Sequence, residues 1–113
     1  MHETLPPQNI PDKGFYYHYK HDTSGPLNNY AYEVMGVGHH TEDDCRPEDT
    51  YTAVYRPLYE ARVYKEGKLF DVRPLSMFME EVEKDGVRKP RFSKITDPTI
   101  LAALEKIKQE MYP

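Results

Sequence analysis

The chain has 113 residues, 38% hydrophobic and 30% charged, which fits one small folded domain and leaves no material for a second core. A net charge of -4 argues against a general binder of duplex DNA, which needs a basic face to displace counterions from phosphates. The single cysteine, Cys45, excludes an intrachain disulfide and points to a reducing, cytoplasmic setting; no run approaches the roughly 20 apolar residues of a membrane span.

Residues 1–13 are broken by Pro6, Pro7 and Pro11 and read as a flexible N-terminal arm, with a β domain expected over 14–96. GFYYHYK, from Gly14, is dense in β-forming aromatics, so alternation places Phe15, Tyr17 and Tyr19 on a core face and Tyr16, His18 and Lys20 on the other. After the turn-rich HDTSGPLNN comes a longer strand, YAYEVMGVGHH, whose Gly36 and Gly38 invite a bulge or a close backbone approach. TEDDCRPEDT is a solvated loop before a third strand, YTAVYRPLY, which Pro57 either ends or confines to an edge.

Two hairpins are predicted next, around Glu66-Gly67 and around Asp85-Gly86, the second with the residues of a type I′ turn. Between them PLSMFMEE reads as one helical turn followed by a strand, with Met77 and Phe78 inward, although periodicity alone leaves helix and strand open for residues 74–80. Asp97 as N-cap, Pro98 at the first helical position, and Ile100, Leu101, Leu104, Ile107 and Met111 at helical spacing predict a helix over 97–113 packed on the domain. The sum is a mainly β molecule: a small SH3-like barrel or roll of five or six short strands with one C-terminal α-helix. With ten tyrosines and no tryptophan, much of its buried aromatic surface carries a hydroxyl that needs a partner.

His39-His40-Thr41-Glu42 at the end of the second strand is the most suggestive chemical cluster, because an imidazole beside a carboxylate can act as a general base. Adjacent strand residues face opposite ways, so His39 and His40 do not grip one metal, and no metal or cofactor is expected. Hairpin pairing of the first two strands would bring His18 across from His40; the plain alternative is a histidine capped by tyrosine hydroxyls. Tyr55, Arg56, Tyr59, Arg73 and Arg91 have the chemistry of a groove for an anion, a nucleotide or a proline-rich peptide. The competing reading buries Arg73 in a salt bridge to Glu80 or Glu42. No nucleophile elbow, phosphate loop or dinucleotide fingerprint is present, and Cys45 in its acidic loop is no activated thiol.

Taken in order, Gly14-Phe15-Tyr16-Tyr17-His18-Tyr19-Lys20, Val34 to Glu42, Val54-Tyr55-Arg56-Pro57-Leu58-Tyr59, Val72 to Phe78 and Pro90-Arg91-Phe92 make the chain resemble the bacterial domain of unknown function family 1653 (DUF1653-like), from Gly14 to about Ile95. The resemblance implies a compact SH3-like β fold and no established activity. His18, Lys20, His40, Thr41, Glu42, Tyr55, Tyr59, Arg73, Pro74, Met77 and Phe78 fall on the family's motif positions.

Three functions compete. The first is a non-enzymatic module that binds a small anionic ligand, a nucleotide-like group or a peptide through His18, Lys20, His40, Tyr55, Tyr59 and Arg73. The second is a small hydrolase-like enzyme with His40, Glu42 and His18 as catalytic candidates. The third is a protein-interaction domain, oligomers included, using a strand edge or the apolar stripe of the last helix.

Overall fold

Alternation along the first strand, β1 (Gly14–His18), sends Phe15 and Tyr17 to one side of a sheet and Tyr16 and His18 to the other. The structure, a computed structural model, describes residues 10–42 and 44–113, so most of the expected N-terminal arm lies outside the described residues. β1 pairs antiparallel with β2 (Ala31–His39), β2 with β3 (Tyr51–Pro57), and β3 with the edge strand β4 (Asp71–Pro74). On the far side of β1 lies β7 (Phe92–Lys94), giving a five-stranded sheet in the order β4-β3-β2-β1-β7. A separate ribbon joins β5 (Glu81–Lys84) to β6 (Val87–Pro90).

The molecule is thus mainly β, with seven strands among the described residues in two antiparallel sheets and a C-terminal helix, α3 (Pro98–Met111). β4 and β7 are the borders of the larger sheet and do not pair, so it is open rather than a closed barrel. Register slips between Val34 and Gly36, leaving Met35 unpaired opposite β3; Gly36, at φ 154°, supplies the backbone for this bulge. Pro57 ends β3, as one of its two readings required. β3 is nevertheless an interior strand, and the missing N–H is harmless because β4 covers it only from Thr52 to Tyr55.

Both faces of the sheet are covered, which corrects the expectation of a single core face on β1. One side packs Phe15, Ala31, Leu58 and Ile95 against Leu104 of α3, with Tyr17, Ile100, Leu101 and Ile107 around them. The other packs Tyr16, Val34, Ala53, Tyr55, Phe78 and Phe92. Asp97 caps α3 by accepting from the backbone N–H groups of Thr99 and Ile100. Beneath the helix Glu33 is buried and doubly paired, to Arg56 at 2.8 Å and to Lys108 at 2.7 Å. The Arg56 guanidinium lies 3.9 Å from the Tyr112 ring centre, and the Tyr112 hydroxyl donates to the Pro57 carbonyl at 2.6 Å. Arg56 therefore belongs to the helix side and not to the groove proposed from the sequence.

The hairpin expected at Glu66-Gly67 is instead a short helix, α1 (Arg62–Lys65). Arg62 pairs with Glu66 one turn on at 2.7 Å, and Tyr64 packs edge-on against Tyr112, so tertiary docking and an i,i+4 pair outweigh the turn signal. The second hairpin forms as expected, with Asp85 at φ 54° and Gly86 at φ 77°, both in the left-handed region of a type I′ turn. Residues Leu75–Met79 form one helical turn, α2, followed by strand β5, also as expected. Phe78 and Leu75 point inward, whereas Met77 is 42% exposed, because a single helical turn buries only one stripe. No described helix is long and apolar enough to cross a membrane.

Candidate functional site

The sheet register assembles a cluster on the side opposite α3. Tyr16 pairs with Tyr32 and Val34 with Tyr55, while His18 pairs with Phe92, Ala53 with Arg73 and Tyr55 with Asp71. Directly paired residues share a face, so His18, Tyr32, Tyr55, Asp71, Arg73 and Phe92 all stand on that side. Phe92 is the hub: its ring centre is 5.1 Å from His18, 5.8 Å from Tyr32, 5.3 Å from Tyr55 and 4.2 Å from a parallel Phe78. Tyr59 reaches in from the residues after β3, its hydroxyl 2.5 Å from that of Tyr32. Tyr30, at the entry to β2, stands 5.7 Å from His18 and 5.9 Å from Tyr59.

Arg73 sits in this aromatic floor, with Nε donating to the Tyr55 hydroxyl at 3.2 Å and the guanidinium carbon 6.0 Å from the Phe92 ring centre. Among the described residues it forms no ion pair, and its two terminal nitrogens have no hydrogen-bond acceptor. The salt bridge to Glu80 or Glu42 is not made. Glu80 pairs instead with Arg91, whose Nε also donates to the Met77 carbonyl at 3.1 Å.

Charge and burial set the protonation of the cluster. Burial, reinforced by Arg73, Lys20 and Arg91, pushes the His18 pKa down to about 4, so the ring is neutral at physiological pH. Its Nδ1 accepts the Lys20 backbone N–H at 3.2 Å, which places the proton on Nε2. Burial raises Asp71 against the opposing pull of Arg73, and burial also raises Tyr32 and Tyr59, whose shared hydrogen bond holds both phenols in place. The result is a buried aromatic floor of Tyr55, Phe78 and Phe92, edged by the half-buried His18, Tyr32, Tyr59, Asp71 and Arg73, with the imidazole neutral. Its chemistry is that of hydrogen-bond donation from a guanidinium and an imidazole N–H beside aromatic rings.

Of the residues singled out from the sequence, the structure brings together His18, Tyr55, Tyr59 and Arg73, with Lys20 at the margin, its ammonium 6.0 Å from the Tyr19 ring centre. It does not bring His40 to them. β1 reaches only to Tyr30 on its partner strand, where the His18 N–H donates to the Tyr30 carbonyl at 2.9 Å. His40 lies past the other end of β2, roughly 30 Å along the chain direction at the usual rise per residue. There its backbone N–H donates to the Thr50 carbonyl, and its Nδ1 accepts from the Glu42 backbone N–H at 3.1 Å. The Glu42 carboxylate does not orient it among the hydrogen bonds of the described residues.

Sequence reasoning missed Tyr30, Tyr32, Asp71 and Phe92. Alternation puts Tyr30 and Tyr32 on one face of the second strand, but that this is also the face of Tyr16 and His18 depends on the hairpin register, with Tyr16 opposite Tyr32. A cavity of about 300 Å³ lies elsewhere, between the 3₁₀ turn Pro47–Asp49 and α2, lined by Pro47, Glu48, Tyr51, Leu75, Ser76 and Met79. It is largely apolar, its lining holds no basic residue, and it shares no residue with the cluster. Among the described residues no three His, Cys, Asp or Glu side chains converge on a point that would hold a metal ion.

No curated protein and no solved structure shows significant similarity to the chain. One family does match, over residues 14–94, which contain β1 through β7 and every member of the aromatic cluster. On that match the chain belongs to the family described as "Protein of unknown function (DUF1653)".

Proposed function

We propose that the protein is a non-enzymatic binding module for a small anionic ligand, held by Arg73 on the aromatic face of the sheet. The observation that carries the reading is the Arg73 guanidinium: Nε is anchored to Tyr55 and both terminal nitrogens are left without a protein acceptor among the described residues. A guanidinium so held presents a preset fork to a phosphate or carboxylate, and the surrounding rings lower the local dielectric and strengthen the contact. The neutral His18 adds an Nε2–H donor without adding charge. The same reading takes the open sheet and its β5–β6 ribbon as an SH3-like roll with its aromatic side as the binding face. The hydrolase alternative needs His40 oriented by a carboxylate, and the contact from Glu42 to its ring comes from a backbone N–H.

Thermal-shift and calorimetric titration against inorganic phosphate, dicarboxylates and phosphorylated metabolites test the proposal. At least one anion is expected to raise the melting temperature of the natural protein, with the shift lost in Arg73→Gln of unchanged circular dichroism. If no anion stabilises the protein through Arg73, the reading fails.

A further inference from the structure

We infer that the ligand of the Arg73 site is a nucleotide, its phosphate on the guanidinium and its base stacked on Tyr30; this rests on the anion-binding reading above. The rings of Tyr19, His18 and Tyr30 form a staircase, with centres 4.4 Å and 5.7 Å apart and planes inclined by 36° and 28°. Tyr30 is its outermost step, 38% exposed, so part of its apolar ring is left to solvent. Its backbone is at φ 52°, a left-handed conformation that glycine adopts freely and a tyrosine adopts only under constraint. The turn therefore holds in place, at a cost, a large aromatic side chain that it does not bury. Strain of this kind concentrates where a ligand is recognised.

The staircase and the cation are close. Both touch Phe92, whose ring centre is 5.1 Å from the His18 ring centre and 6.0 Å from the Arg73 guanidinium carbon, so the inner step of the staircase and the cation share one aromatic floor. A flat, weakly polar base suits the exposed part of the Tyr30 ring beside a neutral imidazole, and a phosphate suits a guanidinium whose two terminal nitrogens have no acceptor among the described residues. A plain anion would leave Tyr30 unused. An uncharged aromatic would leave Arg73 unused.

Calorimetry with adenosine 5′-monophosphate, cytidine 5′-monophosphate, ribose 5-phosphate and adenosine separates the contributions. The nucleotides are expected to bind at least about tenfold more tightly than ribose 5-phosphate, the usual yield of stacking one base on an aromatic side chain. Tyr30→Gly, which removes the ring and relieves the backbone, should abolish that advantage while leaving ribose 5-phosphate binding unchanged; Tyr30→Trp should retain it. Equal affinity for ribose 5-phosphate and the nucleotides, or a nucleotide advantage that survives in Tyr30→Gly, would overturn the inference and leave the anion site standing. Failure of every phosphate compound to bind through Arg73 would remove the anion site as well.

Discussion

His18 is wedged among Tyr19, Tyr30, Tyr32 and Phe92 with Arg73, Lys20 and Arg91 close enough to repel a proton, and its ring prefers to stay neutral. Its pKa of about 4 in the native state, against 6.5 when unperturbed, has a definite sign. Above pH 6.5 the ring is neutral in both states. As the pH falls from 6.5 to 4 only the unfolded chain gains the proton, so stability is lost across that window, and below it nothing more is lost from this residue. The melting temperature of the natural protein should therefore fall more steeply between pH 6.5 and 4 than that of His18→Gln. An NMR titration of the ring should place its midpoint near 4, and one near 6.5 would contradict this environment. Arg73 tells a complementary story about legibility. Its type and its neighbours Tyr55 and Tyr59 left two readings open in the sequence, a ligand groove or a buried salt bridge, and the second depended on where Glu80 pointed, which is to Arg91. His40 was misplaced relative to His18 because hairpin register depends on how much of the HDTSGPLNN connection joins β2, which alternation alone does not specify.

At the scale of elements, the Asp85-Gly86 turn works by backbone geometry alone, for a Cβ at Gly86 would meet no atom within 4 Å. Gly86→Ala should thus cost about 1 kcal/mol through the left-handed φ rather than through any clash, measurable by urea denaturation. The N-cap of α3 is of similar weight: Asp97→Ala should cost about 1 kcal/mol, while Asp97→Ser or Asp97→Asn should restore most of it. These two elements were readable because their signals are local, an Asp-Gly pair flanked by extended residues and an Asp-Pro pair ahead of a helical stripe. α1 was not readable, since Glu66-Gly67 carries the same kind of turn signal and only the docking of Tyr64 on Tyr112 turns the preceding residues helical. The strand β7 was hidden for a related reason: Phe92–Lys94 is three residues long and exists through its pairing with β1.

Across the whole molecule, one sheet serves two cores, and each of its central strands contributes side chains to both. β2 gives Ala31 and Glu33 to the helix side and Tyr32 and Val34 to the aromatic side. Damage on one side should therefore be felt on the other. Leu104→Ala, at a fully buried site on the inner face of α3, should cost about 3 kcal/mol. Unfolding of the natural protein and of this variant should remain one cooperative transition, with helical ellipticity and near-ultraviolet tyrosine signals coinciding. Separate midpoints would show that α3 melts independently of the aromatic face. The open sheet has a consequence of its own, because its two unpaired borders are where strands of neighbouring molecules would add during fibril growth. β4 offers only four residues, with charge at Asp71 and Arg73 and no donor at Pro74, while β7 offers three and closes on Lys94. Val72, 65% exposed on that first border, is thereby hindered from acting as a sticky template, and the charges of Asp71 and Arg73 beside it oppose edge-to-edge pairing.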